Sequence, residues 1–460
     1  MMPSSPAAVE ASPRPSVDSA RVVRLWWPLA ASWMLMGIEL PLVTAVVARL
    51  SDAEVQLAAY GSVVFPVALV VEAPIIMLLA ASTALCGDWD SYLKVRRFML
   101  VAGAVLTTVH VAVAFTPLYD LVARHLIGAP EAVIEPARLG LRLFTPWTWS
   151  IAYRRFQQGV LIRFEHSRPV TLGTGVRLAA NALVLALGVV HGGFPGVAVA
   201  ACGVSVGVMA EAAFIGWSVQ PILAERVRTA RPRSRPLTRL GFLRFYAPLA
   251  LTPVMTLVVQ PVGAAAMSRM PGALLSLAAW PGVHGLVFLA RSAPLAFNEV
   301  VVALLGQPGG VRALRRFTWL LAAGVVLLVA LPALTPLGRL WFGGVTGLEP
   351  HLVELSCTAL FFALLMPGYT ALQSWYTGAL VHSGRTRAIT EAVALYLAVS
   401  TALLVAGVQL QRFNGIHSAL AAFTAGGLVQ TLWLWRRSRA ALAEPLLPDV
   451  RAPRAGSPQE

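Results

Sequence analysis

The stretch RLWWPLA at 24–30 returns as RFYAPLA at 244–250, a shift of 220 that keeps Arg24, Pro28, Leu29 and Ala30 in register with Arg244, Pro248, Leu249 and Ala250. The same shift aligns Pro41 with Pro261, Arg49 with Arg269, Leu57-Ala58-Ala59 with Leu277-Ala278-Ala279, and Ala73-Pro74 with Ala293-Pro294. Further on the shift becomes 219: Arg97-Phe98 meets Arg316-Phe317, Thr116-Pro117-Leu118 meets Thr335-Pro336-Leu337, and Gly159, Arg168, Gly188 and Gly196 meet Gly378, Arg387, Gly407 and Gly415. An apolar chain repeats Ala and Leu by chance. It does not readily place Pro, Arg and Gly pairs in one register along most of two halves.

The repeated unit belongs in a bilayer. Of 460 residues 57% are hydrophobic and 12% charged, about half the charge of a soluble chain. A soluble multidomain enzyme and general disorder are both excluded. A bilayer core about 30 Å thick takes roughly 20 apolar helical residues per crossing. Such stretches number about twelve: near 25–49, 57–85, 98–119, 139–162, 170–191 and 196–220, then 244–268, 275–305, 317–338, 355–381, 388–410 and 414–435. Six spans per half is an even number, so both halves enter from the same side and the repeat is parallel, about an axis along the membrane normal. The expected fold is therefore an all-α polytopic membrane protein of two six-helix bundles enclosing a cleft.

The net charge of +15 comes mostly from arginines near span ends on one side, such as Arg96, Arg97, Arg226, Arg228, Arg316, Arg436 and Arg437. This bias puts both termini in the cytoplasm and removes the need for nucleic acid as a partner. Residues 1–20 read as a disordered tail, 21–220 as the first bundle, 221–243 as a basic linker, 244–436 as the second bundle and 437–460 as a cytoplasmic tail. The cysteines Cys86, Cys202 and Cys357 are scattered and odd in number, so neither a disulfide framework nor a metal site is expected. There is no Walker loop, HExxH or GxSxG, so neither an enzyme nor a cofactor is implied. GDWDSYLKVRR at 87–97 resembles the loop between helices 2 and 3 of major facilitator transporters, but lacks its second glycine.

Prolines inside spans remove a backbone hydrogen bond and crowd the preceding turn. Pro41 and Pro261 are expected to kink the first helix of each half, and Pro74 and Pro294 the second. Ionisable groups deep in spans carry function by default: Glu39, Glu72, Arg154, Arg155, Arg177, Glu211, Arg291 and, farther out on span 8, Asn298 and Glu299. For each acid the plain alternative is an arginine-paired carboxylate that fixes packing, and for His110 and His284 a hydrogen-bonded core histidine. Glu72 aligns with Ser292, next to Arg291, which predicts a Glu72–Arg291 ion pair across the cleft. Arg154, Arg155 and Arg177, with Glu211, Gln260, Asn298 and Glu299, are the candidate substrate contacts. Guanidinium forks suit carboxylate and phosphate, so an anion is expected over a cation. Trp147, Trp149 and Tyr153, with Tyr369, Trp375 and Tyr376, are candidate cleft aromatics.

An acid in span 1, kinked first and seventh helices, and the glycine starts of spans 6 and 12 at Gly196 and Gly415 resemble the multidrug and toxic compound extrusion (MATE)-like superfamily. LAAYG at 57–61 and VEAPI at 71–75 are similar to its progressive ankylosis branch, linked to export of pyrophosphate, nucleotide or citrate. The resemblance implies that Glu39 couples transport to protons or sodium. The seventh span offers Gln260 but no acid. The expected protein is a monomeric secondary exporter in the cytoplasmic membrane, alternating between inward- and outward-open states, with membrane lipid around it. The alternatives are a flippase for a lipid-linked precursor and a drug or organic-cation antiporter.

Overall fold

In the computed structural model, residues 17–231 and 237–443 are described. The expected N-terminal tail lies outside them except for 17–20, and the expected C-terminal tail except for 437–443. Twelve long helices follow in order. The first six are α1 (Ser19–Val47), α2 (Ala53–Leu85), α3 (Trp89–Phe115), α4 (131–163), α5 (Arg168–His191) and α6 (Gly196–Val227). The second six are α7 (Arg239–Met267), α8 (Ala273–Leu304), α9 (Gly310–Leu334), α10 (Pro350–His382), α11 (Arg387–Leu410) and α12 (Gly415–Ala443). Ten of the twelve, all but α4 and α12, are long and apolar enough to cross a membrane. The chain is a multi-pass membrane protein of two six-helix bundles, and no strand occurs among the described residues.

Two ends depart from expectation. Helix α1 begins within the supposed tail, where Asp18 accepts the Arg21 amide at 2.8 Å as an N-cap. Helix α12 continues past 437 to Ala443 because its last turns have partners: Arg437 reaches Glu391 at 3.2 Å, and Arg439 lies over the Trp435 ring at 3.7 Å. The loop-like segment at 87–97 is largely helix. Asp88 caps α3 by accepting the Ser91 amide, and Lys94 pairs with Asp90 one turn back.

The repeat is visible in space as reciprocal contacts on the axis between the bundles. Gly61 of α2 abuts its own repeat-mate Pro281 of α8, and the Ser62 hydroxyl donates to the Leu277 carbonyl at 2.9 Å. The glycine is needed because a side chain there would enter the proline ring. The LAAYG stretch therefore sits at the centre of the bundle contact, where packing alone explains its small residues. Helices α1 and α7 then cross over. The Trp26 indole donates to the Ala293 carbonyl of α8 at 2.9 Å, while Tyr246, the residue 220 positions after Trp26, donates to the Pro74 carbonyl of α2 at 2.6 Å.

The prolines behave unequally. Helix α1 is interrupted at Ile38, between Ser19–Gly37 and Glu39–Val47, one turn before Pro41, where proline ring crowding falls. Helix α7 runs without interruption through Pro248, Pro253 and Pro261, and so does α8 through Pro294, whereas α2 has a π-helical turn at Ala59–Val64 and a 3₁₀ turn at Ala73–Ile75. Pro261 thus lies inside an unbroken helix, whereas α1 is interrupted just before Pro41. Gly37 is docked on Leu289 and Ser292 of the second bundle, while Glu39 is tied into the first. The equivalents of Gly37 and Glu39, Leu257 and Val259, have no such opposed polar tethers.

Candidate functional site

Three acids and three arginines converge inside the first bundle. On α4, Arg154 and Gln158 lie one turn apart and so share a face. Arg154 Nη1 donates to Glu211 Oε2 at 2.7 Å, and Gln158 Nε2 to Glu211 Oε1 at 2.9 Å. On α5 the same spacing places Arg177 and Asn181 around Glu39: Arg177 Nη2 is 3.3 Å from Glu39 Oε2, and Asn181 Nδ2 donates to Oε1 at 3.0 Å. Arg177 Nε also stands 3.7 Å from Glu211 Oε2, which links the two clusters. Glu211 is fully buried and Glu39 keeps 14% of its side chain exposed. A buried carboxylate is tolerated only when hydrogen-bonded and countered by charge, and both conditions hold here.

Close approach of α5 and α6 makes this possible. Gly203 and Gly207 face Asn181 and the Arg177 backbone, and a Cβ added at Gly207 would lie 2.8 Å from the Arg177 carbonyl oxygen. Small residues at such interfaces let membrane helices meet at backbone distance. Gly207→Ala is expected to push the helices apart and lower the thermal midpoint of the detergent-solubilised protein by several degrees. An unchanged midpoint would show that α6 has room to shift.

Glu72 and Arg155 belong to the same region without contact partners. Glu72 is buried, its Oε2 has no hydrogen bond, and it lies within electrostatic reach of Arg155, Arg154 and Arg177. Arg155 makes no ion pair among the described residues. The expected Glu72–Arg291 pair does not form. Glu72 turns into the arginines of its own bundle, while Arg291 Nε donates to Thr370 Oγ1 of α10 at 2.9 Å, with His284, Tyr369 and Tyr396 nearby. No acid pairs with Arg291 among the described residues.

The second bundle repeats this constellation in neutral form. Shifting by 219 turns Arg154 and Glu211 into Gln373 and Gln430, and Arg177 and Asn181 into Tyr396 and Ser400. Gln373 Nε2 donates to Gln430 Oε1 at 3.3 Å and to Thr431 Oγ1 at 3.0 Å, as Arg154 does to Glu211. Sequence reading found the charges but missed Gln158, Asn181, Gln373 and Gln430. The signal was available in the one-turn spacing and in the repeat.

The remaining candidates separate. Gln260 Nε2 meets His284 Nε2 at 3.2 Å within the second bundle. Asn298 is half-buried with Oδ1 unbonded, and Glu299 is exposed. His110 bonds Thr148 Oγ1 and the Leu141 carbonyl, both at 3.0 Å, as a core histidine. Trp147 packs on Phe144, and Tyr369 reaches the Phe423 carbonyl. Trp149 and Tyr153 stay partly exposed. Trp375 and Tyr376 line a recess between α9, α10 and α12, away from the charged cluster.

The face away from the chain ends is closed by two equivalent arginines. Arg49 Nη2 donates to the Gly344 and Val345 carbonyls, both at 3.1 Å, across the bundle contact. Arg269 Nη2 donates to the His125 and Leu126 carbonyls at 2.8 and 3.1 Å, and its Nη1 to Ile127 at 2.8 Å. Each arginine also holds the carbonyl one turn back in its own helix, Ala45 at 2.6 Å and Ala265 at 2.7 Å. The acceptors end short π-helical segments, Leu121–Ile127 and Leu340–Val345, where unpaired carbonyls and the helix dipole favour a cation. The first receiving segment is braced by Asp120, which Arg124 and Arg138 hold at 3.0 and 2.8 Å. The Arg124 hydrogen bond keeps that carboxyl below its ordinary range.

The described helices thus form two parallel six-helix bundles clasped at one face. The chain has the fold of the MATE transporters of the MOP superfamily. It superposes on a multidrug resistance MATE family transporter of that superfamily in an inward-facing conformation with a TM-score of 0.71 at 14% identity, covering 90% of this chain and 98% of that one. For a MOP superfamily transporter from Pyrococcus furiosus, described as having a binding pocket of reverse polarity, the score is 0.63 at 16% identity over 92% and 97%. The lipid II flippase MurJ in an inward closed conformation gives 0.63 at 14% identity over 89% and 87%. No protein-family model and no curated protein sequence matches the chain.

Proposed function

We propose that the protein is a secondary exporter that moves a small organic or phosphate-bearing anion out of the cytoplasm by alternating access, with both chain ends in the cytoplasm. The observation that carries the anion is a charge inventory. The three acids of the first bundle are equalled in number by three arginines, and Arg291 of the second bundle has no acid partner among the described residues. A cation antiporter would need the reverse excess. Arg154 and Arg177 are held in ion pairs, whereas Arg155, which only feels Glu72 at a distance, and Arg291 make none among the described residues and are the groups, one from each bundle, proposed to meet a substrate carboxylate or phosphate.

Glu39 is the coupling group in this reading. It is the most exposed of the four residues joined by the buried ion pairs, Glu39, Arg154, Arg177 and Glu211, and sits at the break in α1, so a proton or sodium ion arriving there would loosen its hold on Arg177. In proteoliposomes, labelled citrate, pyrophosphate and nucleotide should be moved and a cationic dye should not. Arg291→Ala is expected to lower anion transport at least about tenfold, the cost of losing one charge-assisted contact. Glu39→Gln is expected to uncouple transport from an imposed gradient while the protein still folds. Dye transport with no anion movement would overturn the reading. Movement of a fluorescent lipid-linked phosphate without soluble anions would instead favour the flippase alternative.

A further inference from the structure

Helices α9, α10 and α12 enclose a recess of about 380 Å³ near the face that carries the described chain ends. Helix α9 starts at that face, where the Val17 amide donates to the Pro308 carbonyl at 2.8 Å, and α12 ends there. The lining is graded with depth. Arg315 comes one turn before Trp319 on α9, and Arg439 one turn after Trp435 on α12. Because the two helices run in opposite directions, both guanidiniums lie toward the water and both indoles one turn deeper. Trp375 and Tyr376 of α10 complete the wall. No acid lines the recess, and neither Arg315 nor Arg439 makes an ion pair among the described residues. Basic span ends and interfacial tryptophans are ordinary in membranes. Neither preference asks four rings from three helices to surround one hollow beneath two cations without acid partners.

We propose that this recess holds an anionic phospholipid of the adjoining leaflet, with its phosphate at Arg315 and Arg439. Guanidinium forks match phosphate oxygens bidentately. Arg439 lies over the Trp435 ring at 3.7 Å, a contact that uses the flat face of the guanidinium and leaves its in-plane N–H donors free. Free phosphate would satisfy the same two cations, but the deeper rings ask for an apolar tail. Leu428 and Leu432 are 44% and 60% exposed and precede Trp435 and Arg439 on one face of α12. A headgroup at Arg439 therefore lays its acyl chain over Trp435 and down that stripe.

The test uses the full-length protein in detergent and follows tryptophan quenching by phospholipids brominated on the acyl chain. Brominated phosphatidylglycerol should quench saturably and more deeply than brominated phosphatidylcholine, and inorganic phosphate at equal ionic strength should not reverse it. Trp319→Phe with Trp435→Phe, which keeps a ring at each position, should remove that excess. Arg315→Gln and Arg439→Gln should each weaken the apparent affinity for phosphatidylglycerol about fivefold. A charge-matched pair at the start of α3, Arg96→Gln with Arg97→Gln, should bind as the unmodified protein does. Equal quenching by the two lipids would mean that the rings meet bulk acyl chains only, and would overturn the proposal. So would reversal by inorganic phosphate, an excess that survives the double tryptophan change, or equal weakening by the α3 pair.

Discussion

Changing Arg154 to methionine, with Glu211 left in place, is expected to cost about 3–5 kcal/mol, the usual penalty for stranding one member of a buried ion pair. Domains are stable by only about 5–15 kcal/mol, so folded yield on size-exclusion chromatography should fall severely. The second bundle supplies a remedy. At the equivalent positions it carries Gln373 and Gln430, bonded at 3.3 Å. Arg154→Gln together with Glu211→Gln should therefore recover folded protein, because both charges leave at once and the amides can bond each other. If the single Arg154→Met variant is as abundant and heat-resistant as the parent, the cluster does not hold the bundle together. A double variant that folds would also show whether the charges serve transport, since a neutral cluster should fold and still fail to couple.

The second large effect concerns the clasped face. Arg49→Gln with Arg269→Gln removes both guanidiniums that bridge the bundles. Exposed charge-assisted bonds are worth about 1 kcal/mol per arginine. The two together shift the balance between closed and open arrangements about thirtyfold. Spin labels at Leu121 and Leu340, equivalent exposed positions on the two receiving segments, would read this as a longer distance population, once Cys86, Cys202 and Cys357 are replaced. Either single variant should give a smaller, similar displacement, because the contacts are related by the repeat. An unaltered distance distribution in the double variant would mean that α2–α8 packing alone keeps that face shut.

The twelve spans and their parallel duplication were legible because length, hydropathy and proline–arginine–glycine register survive in one dimension. The polar site was legible as a set of residues and not as a set of partners. Spacing shows that Arg154 and Gln158 share a face, but not that Glu211 of α6 is what they face. Repeat alignment placed Glu72 opposite Arg291 at matching depth. Depth says nothing about azimuth, and Glu72 turns inward to its own arginines. Pro41 and Pro261 looked equivalent, yet the helix parts only at the first, because a break needs opposed anchors on its two sides as well as a missing donor. The neutral amide copy in the second bundle could have been read from the 219-residue shift. Glutamine pairs simply attract less notice than buried charges.

The interruption at Ile38 gives α1 divided loyalties. Its leading segment is fastened by Trp26 and Gly37 to the second bundle, its trailing segment by Glu39 to the first. A single rod thus touches two bodies, and its interruption lies next to Glu39. If Glu39 captures an ion as proposed, the change of charge would fall directly beside the interruption in α1 and need no relay through the interior.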